Sequence, residues 1–405
     1  MSVDVPTRRS EHGDAEPFAG TIGRVNPVHA FPAFPIQAVV DLEAIRANTA
    51  SLIRRAGGAQ FMAMVKARGY AHGAIPCARA AIEAGATWVG TAQLVDALEV
   101  RAGIGDARIL TWLYAPGAPF ARAIEQEIDL GVSALWALED IAAAARECGR
   151  PARIHLKIDT GMGRAGIPPV QWEEMVDAAL AMDEAIDVVG CWSHFACADD
   201  PDNPSVQAQK DVFAWAVAAG EARGARFEVR HIANSAALLT DAGANWDMVR
   251  PGLAMYGLSP IPDIAGPADL GLRPAMRLES VLSLIKDVSA GQGVSYGLTY
   301  RTESDTTLGV VPAGYADGVP RHASNAAPIQ VGSRRLRIAG RVCMDQFVVD
   351  LGPGAVDRAG DRVILFGPGD DGEPTAEDWA RASGTIAYEV LSRIPQHIPR
   401  VYVGD

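Results

Sequence analysis

Phe61-Met62-Ala63-Met64-Val65-Lys66-Ala67-Arg68-Gly69-Tyr70-Ala71-His72-Gly73 is the stretch around which the chain is organised. Its apolar run reads as a short strand ending in a lysine, with an aromatic hydroxyl four residues on and glycines close by. In α/β folds the ends of buried strands are where chemistry is usually done. An amine held there loses hydration and is driven towards its neutral, nucleophilic form, which a Schiff-base lysine requires. Taken alone, the stretch reads as a surface lysine after a core strand; the stretches downstream reverse that reading.

Outward from it, short apolar runs alternate with amphipathic stretches. Strand-like runs precede and follow it at Ile36 to Val40, Trp88 to Thr91, Arg108 to Leu113, Val132 to Leu135, Ile154 to Ile158, Val188 to Trp192, Phe227 to His231 and Met248 to Arg250. Most lead into helices. Leu42, Ile45, Thr49 and Leu52 recur at helical spacing behind Asp41, and the stripe Leu138, Ile141, Ala144, Ala145 and Cys148 stops at Gly149 and Pro151. Asn203-Pro204 supplies a capping residue and a first-turn proline for the helix carrying Val206, Phe213 and Val217. About eight βα units in about 220 residues predict a TIM (β/α)8 barrel rather than an open doubly wound sheet. Nine runs are counted, so one is surplus to the barrel. No GxGxxG follows the first strand, which weighs against a dinucleotide fold.

Beyond about Pro260 the rhythm changes to short runs separated by glycine, proline and acidic turns, with one long helical stretch at Ala376 to Ala382. A mostly β C-terminal domain is predicted. The division reads as a flexible or surface-draped tail over 1–34, a barrel over 35–266 and the β-rich domain over 267–405.

Composition narrows the function. At 405 residues and 49% hydrophobic, the chain is long enough for two cores. A net charge of -13, with no long basic run, argues against nucleic acid or an anionic membrane as the main partner. The five cysteines form no CxxC pair, so reduced thiols in a cytoplasmic protein are expected, with no disulfide framework and no metal site indicated. The first 34 residues lack the apolar core of a secretory signal.

The polar residues ending the strands form a pattern. Lys66 follows the run from Phe61; Lys157 and Asp159 end the run from Ile154, before Thr160-Gly161-Met162-Gly163-Arg164; His194 follows Trp192; His231 leads into Asn234-Ser235; Arg250-Pro251-Gly252 closes the series. Singly, each has a structural explanation. Their shared position after successive strands does not, and in a barrel all converge at the C-terminal mouth. Asn234-Ser235 and Arg250-Pro251-Gly252 can offer backbone N–H groups to a phosphate, and His194 a flat ring to stack on an aromatic cofactor. A lysine amine, a phosphate cradle and a stacking ring are the parts that pyridoxal 5'-phosphate needs.

On these residues, with Val294-Ser295-Tyr296-Gly297, Gly314-Tyr315-Ala316-Asp317-Gly318, Cys343-Met344-Asp345-Gln346 and Thr385-Ile386-Ala387-Tyr388-Glu389, the chain resembles the alanine racemases from about Ile36 to Arg400. These are fold-type III pyridoxal-phosphate enzymes with a TIM barrel and a β domain. The resemblance implies that Lys66 carries the cofactor and exchanges the proton on one face of the substrate Cα, while Tyr296 of a second subunit serves the other face. It implies a head-to-tail homodimer with shared sites and a small amino acid as substrate. Tyr70, Ser235, Gly252 and Tyr388 match positions that hold the phosphate, with Asn234 beside them, and His194 matches the position packed on the pyridine ring. Arg164 and the backbone of Met344 match positions around the substrate carboxylate and the cofactor hydroxyl. Lys157 matches a lysine often carbamylated in the family, and His231 one that hydrogen-bonds the arginine at position 250. Arg250 would face the pyridine nitrogen and, being unable to give up its proton easily, leave a weakened electron sink suited to removal and return of one proton. A tyrosine titrating near pH ~10 needs cations nearby to act as a base, and Lys66, Arg164 and Arg250 are the candidates.

The chain departs from the family's habit at Arg68, where asparagine is usual, at Ala71, where glycine is usual, and in a first strand without tryptophan. Relatives of similar pattern act on serine, lysine or broader sets of amino acids, so the preferred substrate stays open. A fold-type III decarboxylase is the competing reaction class; Arg250 and the missing triple-glycine loop weigh against it. The β domain with Tyr296 weighs against a one-domain cofactor carrier, and intact Lys66 and Tyr296 weigh against an inactive paralogue.

Overall fold

A computed structural model describes residues 35–404; the tail expected over 1–34 lies outside the described residues. Eight parallel strands form a nearly closed barrel: β2 (Gln60–Met64), β3 (Trp88–Gly90), β4 (Arg108–Thr111), β5 (Ile128–Val132), β6 (Ala152–Lys157), β7 (Ile186–Trp192), β8 (Val229–His231) and β9 (Met248–Val249). β9 returns to pair with β2. The seam between β8 and β9 is joined by backbone N–H bonds from Asp247 to Arg230 O and from Arg250 to Ala233 O, both 3.0 Å.

The surplus run is the first one. β1 (Ile36–Asp41) is no barrel strand, which corrects the expected start of the barrel at residue 35. It pairs antiparallel with Met276–Val281 and parallel with the last strand, Arg400–Val403, inside a six-stranded sheet of the C-terminal domain. Its alternating burial fits a strand between two partners with one face on a core. A second correction concerns β5, expected at Val132 to Leu135 but found at Ile128–Val132, with a helix starting at Leu135. Asp129 and Gly131 interrupt the apolar pattern there because both serve the barrel interior.

The helical signals act where expected. Asp41 caps Leu42–Ala56 by accepting from Ala44 N, and Gly57 and Gly149 end their helices with left-handed φ. Asn203 caps Pro204–Ala222. Met62, Met64, Trp88, Leu110, Val229 and Met248, all on barrel strands, form a compact apolar cluster apart from the main core. Glycines make room for such side chains: a Cβ on Gly90 would sit 2.6 Å from the Met64 sulfur. The C-terminal domain adds a three-stranded sheet of Leu284–Val288, Thr306–Val311 and Phe347–Gly352.

Candidate active site

Lys66 sits where β2 ends, and the chain then makes a left-handed turn. Ala67, Arg68, Gly69, Tyr70 and Ala71 all have φ between 51° and 65°. Left-handed geometry costs an L-residue roughly 1–2 kcal/mol, so such a turn persists only where its surroundings dictate it. Here Gly69 N donates to Val65 O, Ala71 N to Ala67 O and His72 N to Gly69 O. Tyr256 Oη also donates to Met64 O at 3.0 Å, pinning the strand end. Arg68 and Ala71, where the resemblance led asparagine and glycine to be expected, therefore fall on positions whose conformation those two residues tolerate best. Burial lowers the Lys66 pKa, helped by the positive charges of Arg164 and Arg250.

Arg250 is buried at the end of β9, the strand next to the one that ends at Lys66. Its guanidinium donates to His231 Nδ1 at 2.9 Å, Ser193 O at 2.7 Å, Ile232 O at 3.2 Å and His194 Nδ1 at 3.3 Å. Among the described residues no carboxylate pairs with it, and burial pulls its pKa down to about 9. The His194 imidazole is held well below its ordinary pKa by burial and by the charges of Arg250, Lys66, Arg164 and Lys157. Lys157, also buried, stands with its Nζ 4.6 Å from the Trp192 ring centroid, and Arg250 Cζ lies 5.2 Å from the same ring. Burial, then Arg164 and Arg250, lower the Lys157 pKa to about 8.

The loop carrying Arg164 is shaped by Asp159, whose carboxylate accepts from Gly161 N and Gly163 N. Gln209, on the helix behind it, ties this loop to the next. It donates to Thr160 Oγ1 at 2.9 Å and His194 O at 3.0 Å, and accepts from Ala196 N at 2.9 Å.

Tyr70, Ser235, Gly252 and Tyr388 do meet. A Cβ on Gly252 would lie 2.1 Å from Tyr70 Oη, so only glycine leaves that hydroxyl its place. The Tyr70 and Tyr388 rings are 6.2 Å apart, and burial raises the pKa of both, that of Tyr388 to about 12. One expectation is modified: the Gly252 N–H is already satisfied by Ser235 Oγ at 2.8 Å, which also accepts from Ala254 N. The Ser235 hydroxyl proton is thus left to donate. Asn234 spends its side chain on capping, accepting from Ala237 N at 3.0 Å.

Tyr296 and Met344 behave differently. Both are on the C-terminal domain and both are exposed, Tyr296 at 70%. Among the described residues no hydrogen bond or ring contact joins Tyr296 to the Lys66 pocket.

The sequence profile described as "Alanine racemase, N-terminal domain" matches residues 40–260, and "Alanine racemase, C-terminal domain" matches 275–402. The chain belongs to the alanine racemase family. It is 56% identical over 376 residues to an alanine racemase of Streptomyces coelicolor, covering 91% of this chain and 96% of that one. The crystal structure of alanine racemase from D-cycloserine producing Streptomyces lavendulae superposes with a TM-score of 0.91 at 53% identity, covering 93% of this chain and 98% of that one. That of Corynebacterium glutamicum does so at 0.79 and 35%, covering 91% and 99%.

Against this family background, the residues that sequence reasoning missed are His155, Asp129, Trp192 and Gln209. Gln209 carried a readable signal, a polar residue inside the buried stripe Val206, Phe213 and Val217. His155 and Asp129 carried none, because their partners are remote in sequence.

Proposed function

We propose that the protein is a pyridoxal 5'-phosphate-dependent racemase that interconverts L- and D-alanine with two bases, Lys66 and the equivalent of Tyr296 from a second subunit. The observation that carries this reading is the meeting, at the ends of neighbouring strands in one barrel mouth, of a lysine of lowered pKa and a buried arginine with no carboxylate partner among the described residues. A decarboxylase of the same fold type needs an acidic group where Arg250 stands.

The residues present fit the cofactor. Gly252 leaves the space in which Tyr70 Oη sits, and the Ser235 hydroxyl is left with a proton to donate. Tyr70, Ser235 and Tyr388 would hold the phosphate, and the short helix behind Asn234 presents its positive end nearby. His194, kept neutral, would pack on the ring, and Arg250 would donate to the ring nitrogen. When bound, pyridoxal phosphate supplies an electron sink that acidifies the Cα–H of an amino acid. The chain's own part is proton handling. Lys66 Nζ, already inclined to lose its proton, takes or returns the Cα proton on one face. Arg250 can only donate, so it holds position without exchanging protons.

Arg164 would bind the substrate carboxylate. Lys157 repels it as an ammonium, but carbamylation of the Lys157 amine, which its lowered pKa favours, would turn that repulsion into an ion pair. Met344 would line the site from the partner. The exposed Tyr296 supports a head-to-tail dimer in which each barrel mouth is completed by the other chain's β domain.

The test is proton NMR in D₂O of the cofactor-loaded protein against a panel of L-amino acids. Loss of the Cα proton with conversion to the D-form, fastest for alanine, is expected. Fastest exchange on serine or lysine would replace the substrate, and release of an amine would replace the reaction.

A further inference from the structure

From Arg250 a row of buried polar side chains runs inward from the mouth. Beyond the Arg250 to His231 bond, His231 Nε2 lies 2.9 Å from His155 Nδ1, and His155 Nε2 lies 3.2 Å from Asp129 Oδ2. All four residues are buried. Arginine only donates, so His231 Nδ1 accepts and that ring's proton is on Nε2. His155 Nδ1 then accepts in turn, and its own proton on Nε2 points at the carboxylate. Two neutral rings carry two ring protons for two remaining links. A third proton anywhere in the row would set two donors against each other.

The surroundings are built for this row. β6 and β7 shift register after Ile154, which sets His155 opposite Gly190, and a Cβ on Gly190 would lie 2.2 Å from His155 Nδ1. Trp88 meets the His155 ring edge-on at 5.5 Å, and Trp192 stacks on His231 at 5.7 Å. At the far end Arg108 and Arg153 reach Asp129 at 3.0 and 3.3 Å. Burial alone would raise the Asp129 pKa, but the bond from His155 and the charges of His155, Arg153 and Arg108 hold it below its ordinary range. Burial also keeps both imidazoles below theirs, against the pull of Asp129 on His155.

We propose that His155 and Asp129 are positioning residues for Arg250: through His231 they form a one-way row of hydrogen bonds that holds the guanidinium in a single orientation, as a donor, at the mouth. The proposal rests on the reading of Arg250 as the group facing the cofactor nitrogen. Its first test does not involve activity. Long-range ¹H–¹⁵N spectra of the full-length protein labelled at histidine, assigned with single histidine variants, are expected to show both rings neutral and protonated on Nε2. A ring protonated on Nδ1, or an imidazolium at either position, overturns the row.

In the second test His155→Leu lowers kcat on the order of tenfold, the loss expected for one hydrogen bond in a charged row, with substrate KM within roughly twofold. Asp129→Asn, which keeps the side-chain volume and serves if the leucine variant does not fold, gives a smaller loss. Both move the His231 Nδ1 resonance. Unchanged kcat and an unchanged His231 signal in the folded variants overturn the positioning role. A wild-type protein without racemase activity would sink the reading of the site yet leave the tautomer result standing, so the two failures are distinguishable.

Discussion

The two halves of the proposed site are built in opposite ways. The barrel half is sunk into the fold, with Arg250 held by hydrogen bonds to a backbone carbonyl and to His231 and His194, and the turn after Lys66 held by backbone bonds. The other half, Tyr296 and Met344, stands in the open with Leu298, Tyr315 and Ile386 also exposed on the C-terminal domain. Large apolar side chains left outward on a second domain mark a surface meant to be covered. In the proposed dimer one chain supplies a pocket and, separately, a lid for its partner's pocket.

Five substitutions press on that contrast. The largest effect is expected from Lys66→Ala, which should cost at least on the order of 10⁴ in kcat, since it removes both the anchoring amine and a base. Tyr296→Phe should cost on the order of 10²–10⁴. Co-expressing the two variants should restore about one competent site per heterodimer, because one mouth then keeps both groups. A dead mixture, with heterodimer present, would mean that the two residues serve one chain.

Next comes the pocket floor. Gly252→Ala forces the Tyr70 hydroxyl from its place, so cofactor affinity should fall on the order of 10–100-fold, as for loss of a bond to a charged phosphate. Unchanged affinity, measured by fluorescence titration, would remove Tyr70 from the phosphate site.

Lys157 gives a pH signature. Its pKa falls from the ordinary 10.5 to about 8 on folding, so the unfolded chain binds more protons between those values. The penalty is full below about pH 8 and disappears as pH rises towards 10.5. In carbon-dioxide-free buffer the stability of wild type relative to Lys157→Met should therefore rise across that window, by about 3 kcal/mol. A flat difference in denaturant titrations would show that the amine is not desolvated.

The smallest effect concerns the left-handed turn. Ala71→Gly relieves a φ of 65° and should stabilise the protein by about 1 kcal/mol, read as a shift in the denaturation midpoint. Destabilisation would mean that the turn is not under strain.

The barrel mouth was readable in the sequence because each strand there ends on a polar residue after an apolar run, as at Lys66, Lys157, His194 and His231. β5 was misplaced for the complementary reason. Asp129 breaks its apolar pattern, and only the bonds from His155, Arg108 and Arg153 make a carboxylate tolerable at that depth. β1 was read correctly as a strand, but nothing local tells a strand which sheet it will join; its partners, Met276–Val281 and Arg400–Val403, lie hundreds of residues away.

The sequence by itself determined the element types, the family and the identity of the groups gathered at the mouth, because periodicity, caps and strand-end residues are local properties. The tertiary structure decided that β1 joins the second domain's sheet, that Arg68 and Ala71 occupy left-handed positions, and that Asp129, His155 and His231 stand in line behind Arg250. Those facts depend on which distant segments meet in three dimensions, and burial changes what a charge or a ring nitrogen does only once they have met.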